Sequence, residues 1–157
     1  MKLSFKYTIT KIENKNLDII KDLQWHVKKV CNMLLYDIRE GKEKIDVNKN
    51  LNIISSKIYK DYRKNNWHSN YLHSHMLQEA IIGVIGSYKS YISLCNMYEK
   101  NKNSLRWQPR FPRFKKENIV QEIIFTKYAI KKEGKKDKVD NVYNKLTDVI
   151  KKTTKSE

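Results

Sequence analysis

The sequence predicts an α+β fold, in which three amphipathic helices are inserted into a strand-based element. Three observations predict it. The N-terminus alternates apolar and polar residues with a period of two, three later segments carry apolar residues every three or four positions, and a β-branched segment returns near residue 119. A lone initial strand needs a later strand to pair with, so an insertion explains the order better than two sequential domains do.

In residues 2–10, Leu3, Phe5, Tyr7 and Ile9 alternate with Lys2, Ser4, Lys6, Thr8 and Thr10, the pattern of a half-buried strand. Residues 1–13 form this first strand unit. On its polar face Lys2 and Lys6 are placed either to touch a phosphate backbone or to sit in solvent, and the sequence leaves both open.

Residues 14–104 form the helical insert. From about Leu17 to Glu40, Ile20, Leu23, Val27, Val30, Cys31, Leu34 and Ile38 make a helical stripe, and Gly41 supplies a stop. A shorter helix over about Val47 to Arg63 carries Val47, Leu51, Ile54, Ile58 and Tyr62. The third is the most regular: Leu77, Ile81, Val84, Tyr88, Tyr91, Cys95 and Tyr98 form a heptad-like seam predicted to be central. Gly83 and Gly86 inside it cost roughly 1 kcal/mol each relative to alanine, which predicts close approach there of another helix or a ligand backbone, helix packing being favoured. Residues 105–130 comprise a basic loop and a returning strand rich in Ile119, Val120, Ile123, Ile124 and Phe125. Residues 131–157 are a charged linker and a short C-terminal helix.

A formal net charge of +16 over 157 residues favours a polyanionic partner, RNA or DNA, because basic surface gains free energy by neutralising phosphates and releasing counterions. No run approaches the roughly 18 apolar residues of a membrane span, so no membrane partner and a cytoplasmic location are expected. Cys31 and Cys95, the two cysteines, lie on helical stripes and are expected to be reduced, buried thiols.

The basicity is mostly lysine, with one exception. Three of the chain's five arginines, Arg106, Arg110 and Arg113, fall within eight residues that also hold both prolines, Pro109 and Pro112. The prolines hold φ near −65° and remove two backbone donors, biasing the loop to an extended path. Trp107, Phe111 and Phe114 interleave with the arginines and with Lys115 and Lys116, which pairs stacking faces with forked donors, a composition suited to RNA or unpaired strands. The opposite arrangement, aromatics inward and arginines capping the third helix or pairing with acids, is also open. A mixture is favoured, with phenylalanines packed and arginines exposed.

His68, His73 and His75 crowd one segment beside Trp67, but no carboxylate or cysteine joins them at a metal-ligand spacing, and they are expected on the surface with no metal. No activated nucleophile, carboxylate pair or phosphate-binding glycine loop is present, so no enzyme activity and no cofactor are expected.

The motif Arg110-Phe-Pro-Arg-Phe-Lys115, after a long helix containing Leu77-Gln-Glu-Ala80 and before Ile123-Ile-Phe-Thr126, resembles the N-terminal region of TnpB-type, OrfB-like transposon-associated proteins, RNA-guided nucleases related to type V CRISPR effectors. The likeness covers roughly residues 1–130, including Trp25 to Tyr36 as the family's first helix. It implies a wedge-type partial β-barrel with an inserted, helix-turn-helix-like three-helix recognition bundle. It also implies guide RNA or DNA contact for Arg110, Arg113 and Lys115, with Phe111 and Phe114, beside Pro109 and Pro112, as anchors. The family's nuclease domain, metal-binding carboxylates and zinc ribbon have no counterpart here. The expectation is a nucleic-acid-binding module without catalysis. Its alternatives are a protein-interaction module pairing with a separate nuclease subunit, or a truncated transposase remnant.

Overall fold

A computed structural model of the chain describes residues 14–118 and 121–124. The chain divides into two compact units, Met1–Asp22 with Ile130–Glu157, and Leu23–Ala129. Of the first unit only residues 14–22 are described.

Among the described residues every regular element is helical: α1 (Asn14–Arg39), α2 (Leu51–Asn65), the one-turn α3 (Trp67–Asn70) and α4 (Ser74–Lys100), followed by a 3₁₀ turn at Lys102–Ser104. Local chemistry marks each boundary. α1 stops where Gly41 takes φ 72°, a left-handed conformation that costs glycine little, and its amide bonds back to the Ile38 carbonyl. α2 starts at Asn50, whose side chain accepts from the Asn52 amide at 2.9 Å. Asn66 serves two helices at once. Its amide donates to the Tyr62 carbonyl at the end of α2, while its side chain accepts from the His68 amide at the start of α3.

The core is built from one face of each long helix. α1 contributes Leu23, Val27, Val30, Cys31, Leu34, Leu35 and Ile38, α2 contributes Ile54, Ile58 and Tyr62, and α4 contributes Met76, Leu77, Ile81, Val84 and Ile85. Burying a leucine- or isoleucine-sized side chain contributes about 1.5–3 kcal/mol, so this shared interior dominates the stability of the bundle. Polar groups lock its edges. Tyr62 Oη donates to Asp37 at 2.9 Å, and burial, then that bond and the Asp37 charge, push the phenol well above its usual range. The Arg63 guanidinium donates to the carbonyls of Ser69 and Leu72, at 2.6 Å for the latter, and clamps the turn between α3 and α4. Burial pushes the Cys31 thiol up to about 11, against a smaller opposing pull from Lys115.

Several expectations are corrected. The α+β class does not hold: the described residues form no strand, wedge or partial barrel. The first strand, with Lys2 and Lys6, lies outside the described residues, as do 119–120 and 125–130 of the second. Residues 121–124 are irregular, because among the described residues no neighbouring strand offers them a ladder of donors and acceptors. Gly83 and Gly86 do not mark a close helix approach, since a Cβ at either would meet nothing within 4 Å. The seam of α4 is buried only as far as Ile85; Tyr88, Tyr91, Cys95 and Tyr98 are half-buried, and Leu94 and Met97 are exposed. His68 is buried rather than on the surface. Among the described residues, no helix is long and apolar enough to cross a membrane.

Candidate nucleic-acid interface

Past the 3₁₀ turn, residues 105–118 run as an irregular strap from the end of α4 back across α1. Three attachments hold it. Phe111 sets its ring edge-on against Tyr88 and Tyr91 of α4, with centroids 6.1 and 5.6 Å apart. Asn32 of α1 donates to the Lys115 carbonyl at 2.9 Å and accepts from the Lys115 amide at 2.8 Å. The buried Lys28 donates to the Glu117 carbonyl at 2.7 Å, and Lys29 lies 3.7 Å from the Glu117 carboxylate.

Along its length the strap turns most of its cations outward. Arg106, Arg110, Arg113 and Lys116 are exposed, whereas Lys115, Pro109 and Pro112 are half-buried. Among the described residues no carboxylate pairs with any of the three arginines. The Arg106 guanidinium instead lies 5.0 Å over the ring of Trp107. Phe111 packs inward, while Phe114 sits at the boundary with over a third of its surface in solvent. The two arginines outside the strap have other places: Arg63 is the clamp described above, and Arg39 ends α1, where a cation suits the helix dipole.

A second group of aromatics, not singled out as a site in the sequence, lies further along α1. Trp25, Trp67 and Tyr71 surround the buried pair His26 and His68, whose Nδ1 atoms are 3.1 Å apart. His26 stacks on Tyr71 at 4.3 Å and 8°, Trp67 packs on His68 at 3.9 Å, and the two tryptophans are 6.2 Å apart. The short Nδ1 contact requires one ring to donate and the other to accept, so the accepting Nδ1 carries no proton. Burial, then the charges of His26 and Lys29, hold the His68 pKa below its usual value.

Lys29 joins the two regions. Its Nζ lies 5.4 Å over the Trp25 ring and 3.7 Å from Glu117 at the strap's end. Trp25, Lys29 and Asn32 sit at spacings of four and three on one outward stripe of α1, just off the apolar stripe that fills the core. That offset is the sequence signal for the platform, since a tryptophan one position from a buried stripe shows solvent its face.

The chain contains three tryptophans, and all are exposed: Trp25 by 39%, Trp67 by 54% and Trp107 by 72%. Tryptophan is highly buried on average, and here each borders a cation or another exposed indole. Among the described residues no group of three histidine, cysteine or acidic side chains could hold a metal ion. Comparison with protein families, curated proteins and solved structures finds no match to this chain. The surface offers π-faces for unpaired bases, and guanidinium groups without a carboxylate partner among the described residues for phosphates, on a strap latched to α1 and α4.

Proposed function

We propose that the chain is a nucleic-acid-binding module that holds an unpaired strand, RNA in the first place, by phosphate contact from the strap and base stacking on exposed tryptophans. It performs no chemistry of its own in this reading. The observation that carries it is the exposure of all three tryptophans on a chain of formal charge +16, with Arg106 over Trp107 and Lys29 over Trp25. Stacking tolerates any base and the guanidinium groups tolerate any sequence, so the mode is grip rather than base readout. The likeness of Arg110–Lys115 to TnpB-type proteins adds guide RNA as a partner class. It rests on that motif and the helices, without the family's barrel.

A filter-binding salt titration against single-stranded RNA tests the reading. The plot of log K against log salt should fall with a slope of several units, about −0.7 for each phosphate neutralised, and a slope near zero overturns it. Replacing Arg110 and Arg113 with alanine should lower the slope by roughly 0.7 each and leave the melting temperature in place.

One observation favours a second reading, docking of a partner chain such as a separate nuclease subunit. The outer half of α4 keeps Leu94 and Met97 exposed beside half-buried Tyr91, Cys95 and Tyr98. Sedimentation of wild type against a Leu94→Lys, Met97→Lys variant separates the two, because only a protein-docking surface changes its assembly with these residues.

A further inference from the structure

We infer that the cleft between the strap and helices α1 and α4 is a pocket for one unstacked nucleobase, and that it favours bases bearing an exocyclic amine. This deepens the proposed function and rests on it. The cleft has a volume of about 560 Å³, within the range of small-ligand sites and ample for one base with its sugar. Val27 and Leu35 of α1 and Met76 and Val84 of α4 supply apolar walls. Gly83 lines it without a side chain, and a Cβ there would meet nothing within 4 Å, so this wall stands back from the space a ring would fill.

Apart from the donors Arg113 and Lys115, the polar side chains of the cleft offer acceptors. Gln121 is 9% exposed, and its Oε1 is buried without a hydrogen-bond partner. Its Nε2 donates to the Glu122 carbonyl at 3.0 Å; because a carbonyl only accepts, that bond fixes which way round the amide sits. A buried acceptor left unpaired is costly, and a ligand N–H would remove that cost. Glu79 and Glu122 also line the cleft and, as carboxylates, only accept. Arg113 and Lys115 of the strap line it too, where they suit the phosphate that accompanies a base.

Donor edges distinguish the bases. Guanine carries N1–H beside an exocyclic amine, adenine and cytosine carry the amine alone, and uracil has a single ring N–H with no amine. The cleft therefore ranks guanine first and uracil last. The remaining nucleotides are held by stacking and phosphate contact, which do not discriminate.

The test uses the full chain and end-labelled oligouridine of about twelve nucleotides, alone or with one central guanosine, followed by fluorescence anisotropy at physiological salt. The guanosine-containing strand should bind about five- to tenfold more tightly. Gly83→Met, which fills the cleft from a helical position with room for it, and Gln121→Leu, which removes the unpaired acceptor, should each erase that difference and leave oligouridine binding in place. Both variants should melt no lower than wild type. In the wild type, guanosine monophosphate should shift the Gln121 side-chain amide resonances. Equal binding of the two strands, discrimination that survives in both variants, or unmoved Gln121 resonances overturns this inference alone. Absence of any RNA binding overturns the proposed function and the pocket with it.

Discussion

Asn32 bonds both backbone groups of Lys115, donating to its carbonyl at 2.9 Å and accepting from its amide at 2.8 Å, across 83 residues of sequence. A side-chain amide thereby does for an extended segment what a neighbouring strand would do. The strap is held at the residue that follows Phe114, with Arg113 and Lys116 on either side of the latch. Asn32→Ala should destabilise the protein by about 1–2 kcal/mol, the worth of two partly buried hydrogen bonds less what water restores. Hydrogen exchange at the Lys115 amide should accelerate, and affinity for single-stranded RNA should fall several-fold because the strap must then be ordered on binding. An unchanged exchange rate at Lys115 would show that the latch does not hold the strap.

Trp107 is 72% exposed, with the Arg106 guanidinium 5.0 Å over its ring, so its removal separates binding from stability. Trp107→Ala should weaken binding to single-stranded RNA by about 1–3 kcal/mol, the usual worth of a base stacked on an aromatic ring, with no change in melting temperature. Quenching of tryptophan fluorescence on adding RNA gives an independent measure. A variant that binds as well as wild type removes Trp107 from the interface.

The buried pair His26 and His68 makes stability pH-dependent. The folded state holds the His68 pKa below its ordinary value near 6.5, so the unfolded chain binds the proton more readily. Stability should be full above about pH 6.5, where the ring is neutral in both states, and should fall as the pH drops through the lowered folded-state value. Urea unfolding midpoints at pH 7.5 and pH 5 measure this. The loss should shrink in a His68→Asn variant, which keeps a hydrogen-bonding side chain without a titrating ring.

Gly86 lies inside α4 with nothing within 4 Å of an added Cβ. Gly86→Ala should stabilise the protein by about 0.5–1 kcal/mol, since the methyl group restricts the unfolded chain and clashes with nothing in the folded one. A destabilised variant would show that a neighbour closes on this helix face, the arrangement that the glycines alone suggest. Chemical denaturation decides between the two.

Periodicity alone determined the three long helices, because an apolar residue every three or four positions has one economical solution, a helix with that face buried. Leu23, Val27, Val30 and Leu34 fill the core where their spacing puts them. Composition alone picked out the strap, because Pro109 and Pro112 forbid a helix there and clustered arginine stands out against lysine. Tertiary structure decided the rest. Ile123 and Ile124 after the strap have strand composition, but strand character is settled by a partner's hydrogen bonds, and among the described residues no strand lies beside them. The outer half of α4 continues the apolar pattern of its inner half, yet burial depends on what arrives from elsewhere, and beyond Ile85 Phe111 and the 3₁₀ turn leave Leu94 and Met97 exposed. His68 reads as a surface residue in the sequence, and it is buried because His26 and Trp25, more than forty positions away, meet it across the bundle. The cleft beside Gln121 has no linear signature, because it is the space left when two helices and a strap meet.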